Sequence, residues 1–161
     1  TCSISLTTSG TVTLPLTTSP SGAVTIDKDV VSVITNSGGG YTLRLESVSG
    51  TSNNLVNGGE DIPAISATPG SPGTLGLNEW GYRIDGTLGF GPGPTSTITN
   101  QPSSSLTFAG VPLLGSPQNI KVTASSSPSG DITDVWYGVR ADISKPAGNY
   151  SSTVTYTAVL N

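Results

Sequence analysis

Apolar residues recur at every second position along this chain, in short stretches broken by Gly, Pro, Ser and Asn. From Cys2 to Leu6, Ile4 and Leu6 point one way and Ser3 and Ser5 the other, the period of a half-buried strand. Thr11 to Leu16 repeats the pattern with Val12, Leu14 and Leu16. Val24 to Thr35 carries Val24, Ile26, Val31 and Val33, interrupted by the polar Asp27-Lys28-Asp29. Tyr41 to Val48 follows with Tyr41, Leu43 and Leu45 on one face, and Asn36 to Gly40 between these two runs predicts a hairpin. Ser49 to Pro72 reads as a long loop that touches down at Ile62 to Ile65. An aromatic strand covers Glu79 to Asp85, and Gly86 to Gln101 reads as an irregular excursion. Further strands are predicted at Leu106 to Phe108, Gln118 to Ala124 and Asp131 to Ile143. In the final run, Thr153 to Leu160, nearly every residue is β-branched or aromatic. Val154, Tyr156, Ala158 and Leu160 share one face there, and Thr153, Thr155 and Thr157 share the other.

No window of about 11 residues holds a helical period. Roughly nine to eleven short strands with turn signals between them predict an all-β fold, an antiparallel two-sheet sandwich of immunoglobulin-like or jelly-roll-like type without substantial helix. Parallel architecture is disfavoured because no helical crossovers separate the strands. The 161 residues fit one domain, 1–161, with residues 1–20 as an exchangeable N-terminal arm.

Composition narrows the partners. Charged residues make up only 10% of the chain, and Ser, Thr and Gly supply the polarity instead, as in secreted or assembled proteins. A net charge of −4, with six basic residues scattered along the chain, excludes a phosphate-binding patch and with it a nucleic-acid partner. No apolar run approaches the roughly 18 residues of a membrane span, so no membrane insertion is expected. The start at Thr1, without an initiator Met or an apolar leader, is what removal of an export signal would leave. The lone Cys2 has no internal partner, which leaves a surface thiol or a crosslink between chains. Lipidation of Cys2 is disfavoured by the preceding Thr1.

The chain contains no His, which removes the common nucleophile–His triads, most catalytic zinc sites and the usual general base near neutral pH. Glu46, Glu60 and Glu79 show no spacing that suggests a glycosidase carboxylate pair. The chain is therefore not expected to be an enzyme, and no cofactor is expected. Calcium is the one ion with candidate ligands, at Asp27 and Asp29, Asp131 and Asp134, and Glu60 with Asp61, although turn-forming Asp accounts for the same pattern. Lys28, Lys121 and Lys145 are the candidates for an internal Lys–Asn crosslink. Asn149-Tyr150-Ser151 has the form of a glycosylation sequon. Trp80, Tyr82 and Trp136 are candidate ligand-contact aromatics, flat faces for sugar rings, weighed against the commoner use of Trp as a core anchor.

Several segments resemble a family of secreted surface proteins of Saccharibacteria and related candidate-phyla bacteria. These are Asn54 to Gly58, Ile62 to Ser66, Glu79 to Tyr82, Val135 to Val139 and, most specifically, Lys145 to Ala158. The resemblance runs from about Val30 to Asn161 and implies export and display at the cell surface, with no catalytic residues carried over.

Two readings of function follow. In the first, the chain is a subunit that polymerises with itself into an extracellular fibre or surface layer. A terminal strand of one copy completes a sheet edge of the next, with Ile4, Leu6, Val12, Leu14 and Leu16 as the assembly strand and Val154, Tyr156, Ala158 and Leu160 as the closing strand. In the second, it is a monomeric adhesin or carbohydrate-binding module whose aromatics meet glycans of a host or neighbouring cell in a groove between the 49–72 and 86–101 loops.

Overall fold

The computed structural model describes every residue from Thr1 to Asn161. It contains twelve strands and no helix: β1 (Ile4–Thr8), β2 (Ala23–Thr35), β3 (Tyr41–Ser47), β4 (Leu55–Asn57), β5 (Glu60–Ile62), β6 (Gly73–Thr74), β7 (Glu79–Arg83), β8 (Ile98–Gln101), β9 (Thr107–Phe108), β10 (Gln118–Val122), β11 (Ser127–Ala141) and β12 (Val154–Leu160). The first sheet has the order β1-β2-β11-β7, with β8 also on β2, and the second has the order β10-β3-β12. Every pairing of these strands is antiparallel. The chain is an all-β sandwich.

The spine is the long β2–β11 ladder, in register from Asp131 opposite Val33 to Ala141 opposite Ala23. Alternation on β11 sends Val135, Tyr137, Val139 and Ala141 into the main core between the sheets, where they meet Tyr41, Leu43 and Leu45 of β3. Trp136 points to the outer face, where Val24, Ile26, Ile65, Leu75 and Phe108 form a second core. The first sheet is thus covered on both sides, inside by the second sheet and outside by loop segments.

Two glycines make the outer cover possible. Gly81 and Gly138 stand opposite each other across β7 and β11. A Cβ on Gly138 would lie 2.8 Å from the Phe108 ring, and one on Gly81 would lie 2.7 Å from the Ala109 carbonyl oxygen. The Trp-Gly-Tyr and Trp-Tyr-Gly motifs are places where another backbone or ring must approach the sheet closely.

Several expected elements are placed differently. Asn36 to Gly40 does not close a hairpin, because β2 and β3 lie in different sheets and the segment carries the chain between them. Both edges of β2 are already taken, by β1 and β8 on one side and β11 on the other. Asp27-Lys28-Asp29 does not interrupt β2 either: Lys28 Nζ lies 2.9 Å from Asp134 on β11 and 5.3 Å from the centroid of the Trp136 ring. The 49–72 stretch contains the β4–β5 hairpin, and the 86–101 excursion ends in β8. The first strand runs from Ile4 to Thr8 rather than from Cys2 to Leu6. Thr11 to Leu16 is extended and alternates in burial as expected, yet belongs to no strand.

Candidate functional site

One long side of the sandwich is only partly closed. It lies where β1, at the edge of the first sheet, runs beside β12, at the edge of the second. Ile4, Leu6, Val12, Leu14 and Leu16 from the N-terminal arm are all half-buried against the main core here, as are Val154, Tyr156 and Ala158 from β12. Leu160 is half-buried as well. The structure therefore brings the two predicted sets, assembly strand and closing strand, to the same side of one molecule.

The arm is held in two ways. Its first half is a strand, with Ile4 opposite Thr35 and Thr8 opposite Val31. At its end Ser9 is clamped. The Ser9 N–H and hydroxyl both donate to Asp29 Oδ1, at 2.9 and 2.7 Å, and the hydroxyl oxygen accepts from the Val30 N–H at 2.9 Å. Asp29 is 4% exposed, so the clamp is anchored in the interior. Gly10 then turns the chain at φ = 94°, a conformation that favours glycine.

Beyond Gly10 the arm leaves the ladder. No backbone group from Gly10 to Thr18 makes a backbone–backbone hydrogen bond. Three side-chain bonds replace them: Gly10 N–H to Thr8 Oγ1 at 3.2 Å, Thr25 Oγ1 to the Pro15 carbonyl at 2.7 Å, and Thr17 N–H to Asn100 Oδ1 at 2.6 Å. The cause is local. β8 occupies the β2 edge at Val24 and Ile26, where the arm would otherwise continue. Pro15 also has no N–H to offer a ladder.

On β12 the parity of hydrogen bonding is fixed by its ends. The Val48 N–H donates to the Thr153 carbonyl at 3.3 Å, and the Asn161 N–H donates to the Gly40 carbonyl at 3.2 Å. Odd-numbered residues therefore face β3, and Val154, Tyr156, Ala158 and Leu160 direct their N–H and C=O groups to the free edge. The residues that send side chains inward are the ones whose backbones stand open.

Tyr156 also joins a buried polar node beneath this edge. Its hydroxyl is hydrogen-bonded to the Tyr137 hydroxyl. Burial, then Tyr137 and Asp29, push the Tyr156 phenol far above its ordinary range, and burial does the same to Tyr137. Both phenols stay neutral and serve as hydrogen-bonding groups. Ser9, Asp29 and the free-edge parity were not singled out as assembly features by sequence reasoning; the available signals were the Ser9-Gly10 pair and an Asp within an otherwise apolar strand.

The candidate ligand-contact aromatics do not form a platform. Trp80, Tyr82 and Trp136 are 3%, 0% and 5% exposed, Trp80 and Tyr82 in the main core and Trp136 in the outer one. The Trp80 indole N–H donates to the Asn53 carbonyl at 3.0 Å, and its ring lies beside Tyr137 with centroids 6.4 Å apart. The hollow near the 49–72 loop, about 410 Å³, is bounded by Ile65 to Pro69 and Gly110 to Leu113 rather than by the 86–101 stretch, and none of these aromatics lines it.

The acidic residues considered for calcium are engaged separately. Asp27 accepts from the Lys28 N–H and Thr97 Oγ1, Asp131 from Tyr41 and Lys121, Asp134 from Lys28, and Asp61 from Asn54. No three His, Cys, Asp or Glu side chains are grouped to hold a metal ion. The lysine amines lie against carboxylates or backbone carbonyls, at Asp134 for Lys28, at Asp131 and the Ile132 carbonyl for Lys121, and at the Asp61 carbonyl for Lys145. Cys2 is a free, exposed thiol.

No protein-family model, no curated protein and no solved structure matches the chain.

Proposed function

We propose that the chain is a structural subunit of an extracellular homopolymer, built by β-strand addition in which the N-terminal arm of one copy, Thr1 to Leu16, is exchanged onto the next. The observation that carries this reading is the arm's second half. It inserts Val12, Leu14 and Leu16 against the core while its backbone, from Gly10 to Thr18, makes no ladder contact. A segment that contributes apolar packing but few backbone bonds belongs to the low-stability end of a structure. The same contacts are available from an identical segment of a second copy, and head-to-tail exchange of this kind builds an open filament when its rotation does not return to the first copy. The low charge of the surface and the segments that resemble secreted surface proteins accord with display outside the cell.

The test is a reversible lock. Thr7 and Ser32 are opposite each other on β1 and β2. Paired residues at such positions have Cα atoms about 5.5 Å apart, within disulfide range. In a Cys2→Ser background, the T7C/S32C chain oxidised as a monomer should stay monomeric in negative-stain electron microscopy, and should form fibres after reduction. A chain lacking residues 1–16 should form none. Fibres from the oxidised, locked monomer, or dispersed particles from the intact chain at all salt concentrations, would overturn the reading.

A further inference from the structure

We infer that the exchanged arm is bound by both sheets of its acceptor, with Thr11 to Leu16 of the incoming copy adding to the free edge of β12. This rests on the exchange proposed above and names the surface that receives the unladdered half of the arm.

Three observations converge on that edge. The first is parity. Val154, Tyr156, Ala158 and Leu160 present open N–H and C=O groups, and their side chains face the core. In an antiparallel ladder, directly opposed residues face the same side. Parity allows an arm that keeps Val12, Leu14 and Leu16 inward to bond β12 only through these open groups, and the register taken here sets the three opposite Ala158, Tyr156 and Val154, the β12 residues packed on the main core. The arm descends from β1 while β12 ascends beside it, so the antiparallel sense is already present.

The second observation is Pro15. In this register the odd-numbered arm residues turn their backbones away from β12, so the missing N–H of Pro15 falls on the solvent side, where an edge strand tolerates proline. The third is charge. No charged side chain occurs from Thr1 to Ile26 or from Asn149 to Asn161, so donor and acceptor match without burying an ion. A partner bearing charges would lose their solvation at this edge.

Chain connectivity explains why the arm does not make this ladder within its own molecule. Ser9 is fixed to Asp29 and Val30, Pro15 to Thr25, Thr17 to Asn100, and Ser19 bridges Asp142. These tethers hold the segment along the first sheet. An arm arriving from a second copy is free of the bonds at Thr17 and Ser19, and by exchanging the single Thr25–Pro15 bond for a ladder it can move sideways onto β12.

The experiment uses three single-cysteine chains in the Cys2→Ser background, Thr13→Cys, Thr157→Cys and Val122→Cys, the first mixed with each of the others before assembly and then oxidised. Both threonines are exposed, and the register places them opposite each other at a non-hydrogen-bonded pair, where Cβ atoms lie about 4.5–5.5 Å apart. The expected result is a mixed disulfide dimer joining the Thr13→Cys and Thr157→Cys peptides, dominant over either homodimer. Three outcomes would overturn the inference. If fibres form but Thr13→Cys couples instead to Val122→Cys on β10, the exchange stands and the acceptor edge is wrong. If Thr157→Cys couples mainly to itself, two β12 edges meet symmetrically. If no assembly forms at all, the exchange reading falls with it.

Discussion

Ser9 and Asp29 fasten the arm at the point where its ladder ends. Removing the Ser9 hydroxyl deletes a donor to a buried carboxylate and an acceptor for the Val30 N–H. A hydrogen bond to a charged group contributes about 1.5–3 kcal/mol, and Ser9 is itself exposed, so Ser9→Ala is expected to cost about 1–2 kcal/mol in local opening. Amide hydrogen exchange should show it as faster exchange from Ile4 to Thr8, with β3 and β11 unchanged. Asp85 poses the opposite problem, a carboxylate serving a buried cation. Arg83 is 1% exposed, and its guanidinium lies 3.1 Å from Asp85 Oδ1. Burial alone would raise the Asp85 carboxyl, but the Thr95 hydroxyl and N–H, with Arg83, more than offset this and hold it below its ordinary range. At Asp131, burial is likewise outweighed by Lys121 and the Tyr41 hydroxyl. Carboxyls depressed in the folded state contribute stability above their unfolded pKa and lose it as pH falls through the folded value. The melting temperature should therefore decline below about pH 4, and less steeply in Asp131→Asn. Asp85→Asn leaves the Arg83 charge buried without its counter-ion and should cost about 3–5 kcal/mol at neutral pH, read by urea denaturation.

At the scale of strands, the glycines in the aromatic motifs set how closely the outer loops can pack. Gly138→Ala drives a methyl into the Phe108 ring, and Gly81→Ala drives one into the Ala109 carbonyl. Each should destabilise by about 1–3 kcal/mol in denaturant titration, with the smaller loss at Gly138 if the ring can shift. Alternation made nearly all the principal strands legible, because a period of two needs only local information. It identified β3, β7, β11 and β12, and the inward faces of β3 and β12. It could not say which strands pair. Asn36 to Gly40 has the composition of a hairpin turn but joins two sheets, since a strand whose edges are both taken cannot also pair with its sequence neighbour. Thr11 to Leu16 alternates as cleanly as any strand and still stands outside the ladder, because β8, more than eighty residues away in the chain, occupies the edge it would have used. The use of Trp80 and Trp136 as core anchors was legible, but their placement on opposite faces of one sheet was hidden, as it required knowing that this sheet is covered on both sides.

For the whole molecule, the distribution of charge separates the proposed assembly from an electrostatic one. The chain carries a net charge of −4, while the arm up to Ile26 and the last thirteen residues bear no charged side chain. Copies therefore repel weakly at long range, and the surfaces proposed to join have no ion pair to screen. Raising salt from about 0.02 to 0.5 M shortens the Debye length several-fold, so it should remove that repulsion and speed assembly by less than about threefold. An interface held by ion pairs would weaken over the same range. The free edge allows a sharper test. Ala158 directs its N–H away from β3, whereas Thr157 directs its N–H towards Arg44 on β3. Ala158→Pro should thus remove a donor needed only by an incoming strand, leaving a folded monomer whose melting temperature falls by a few degrees and whose fibres are absent or short. Thr157→Pro should break the β12–β3 ladder and unfold the second sheet. If Ala158→Pro forms fibres of normal length while remaining folded, β12 is not where the copies join, and the neutral arm is bound elsewhere on the sandwich.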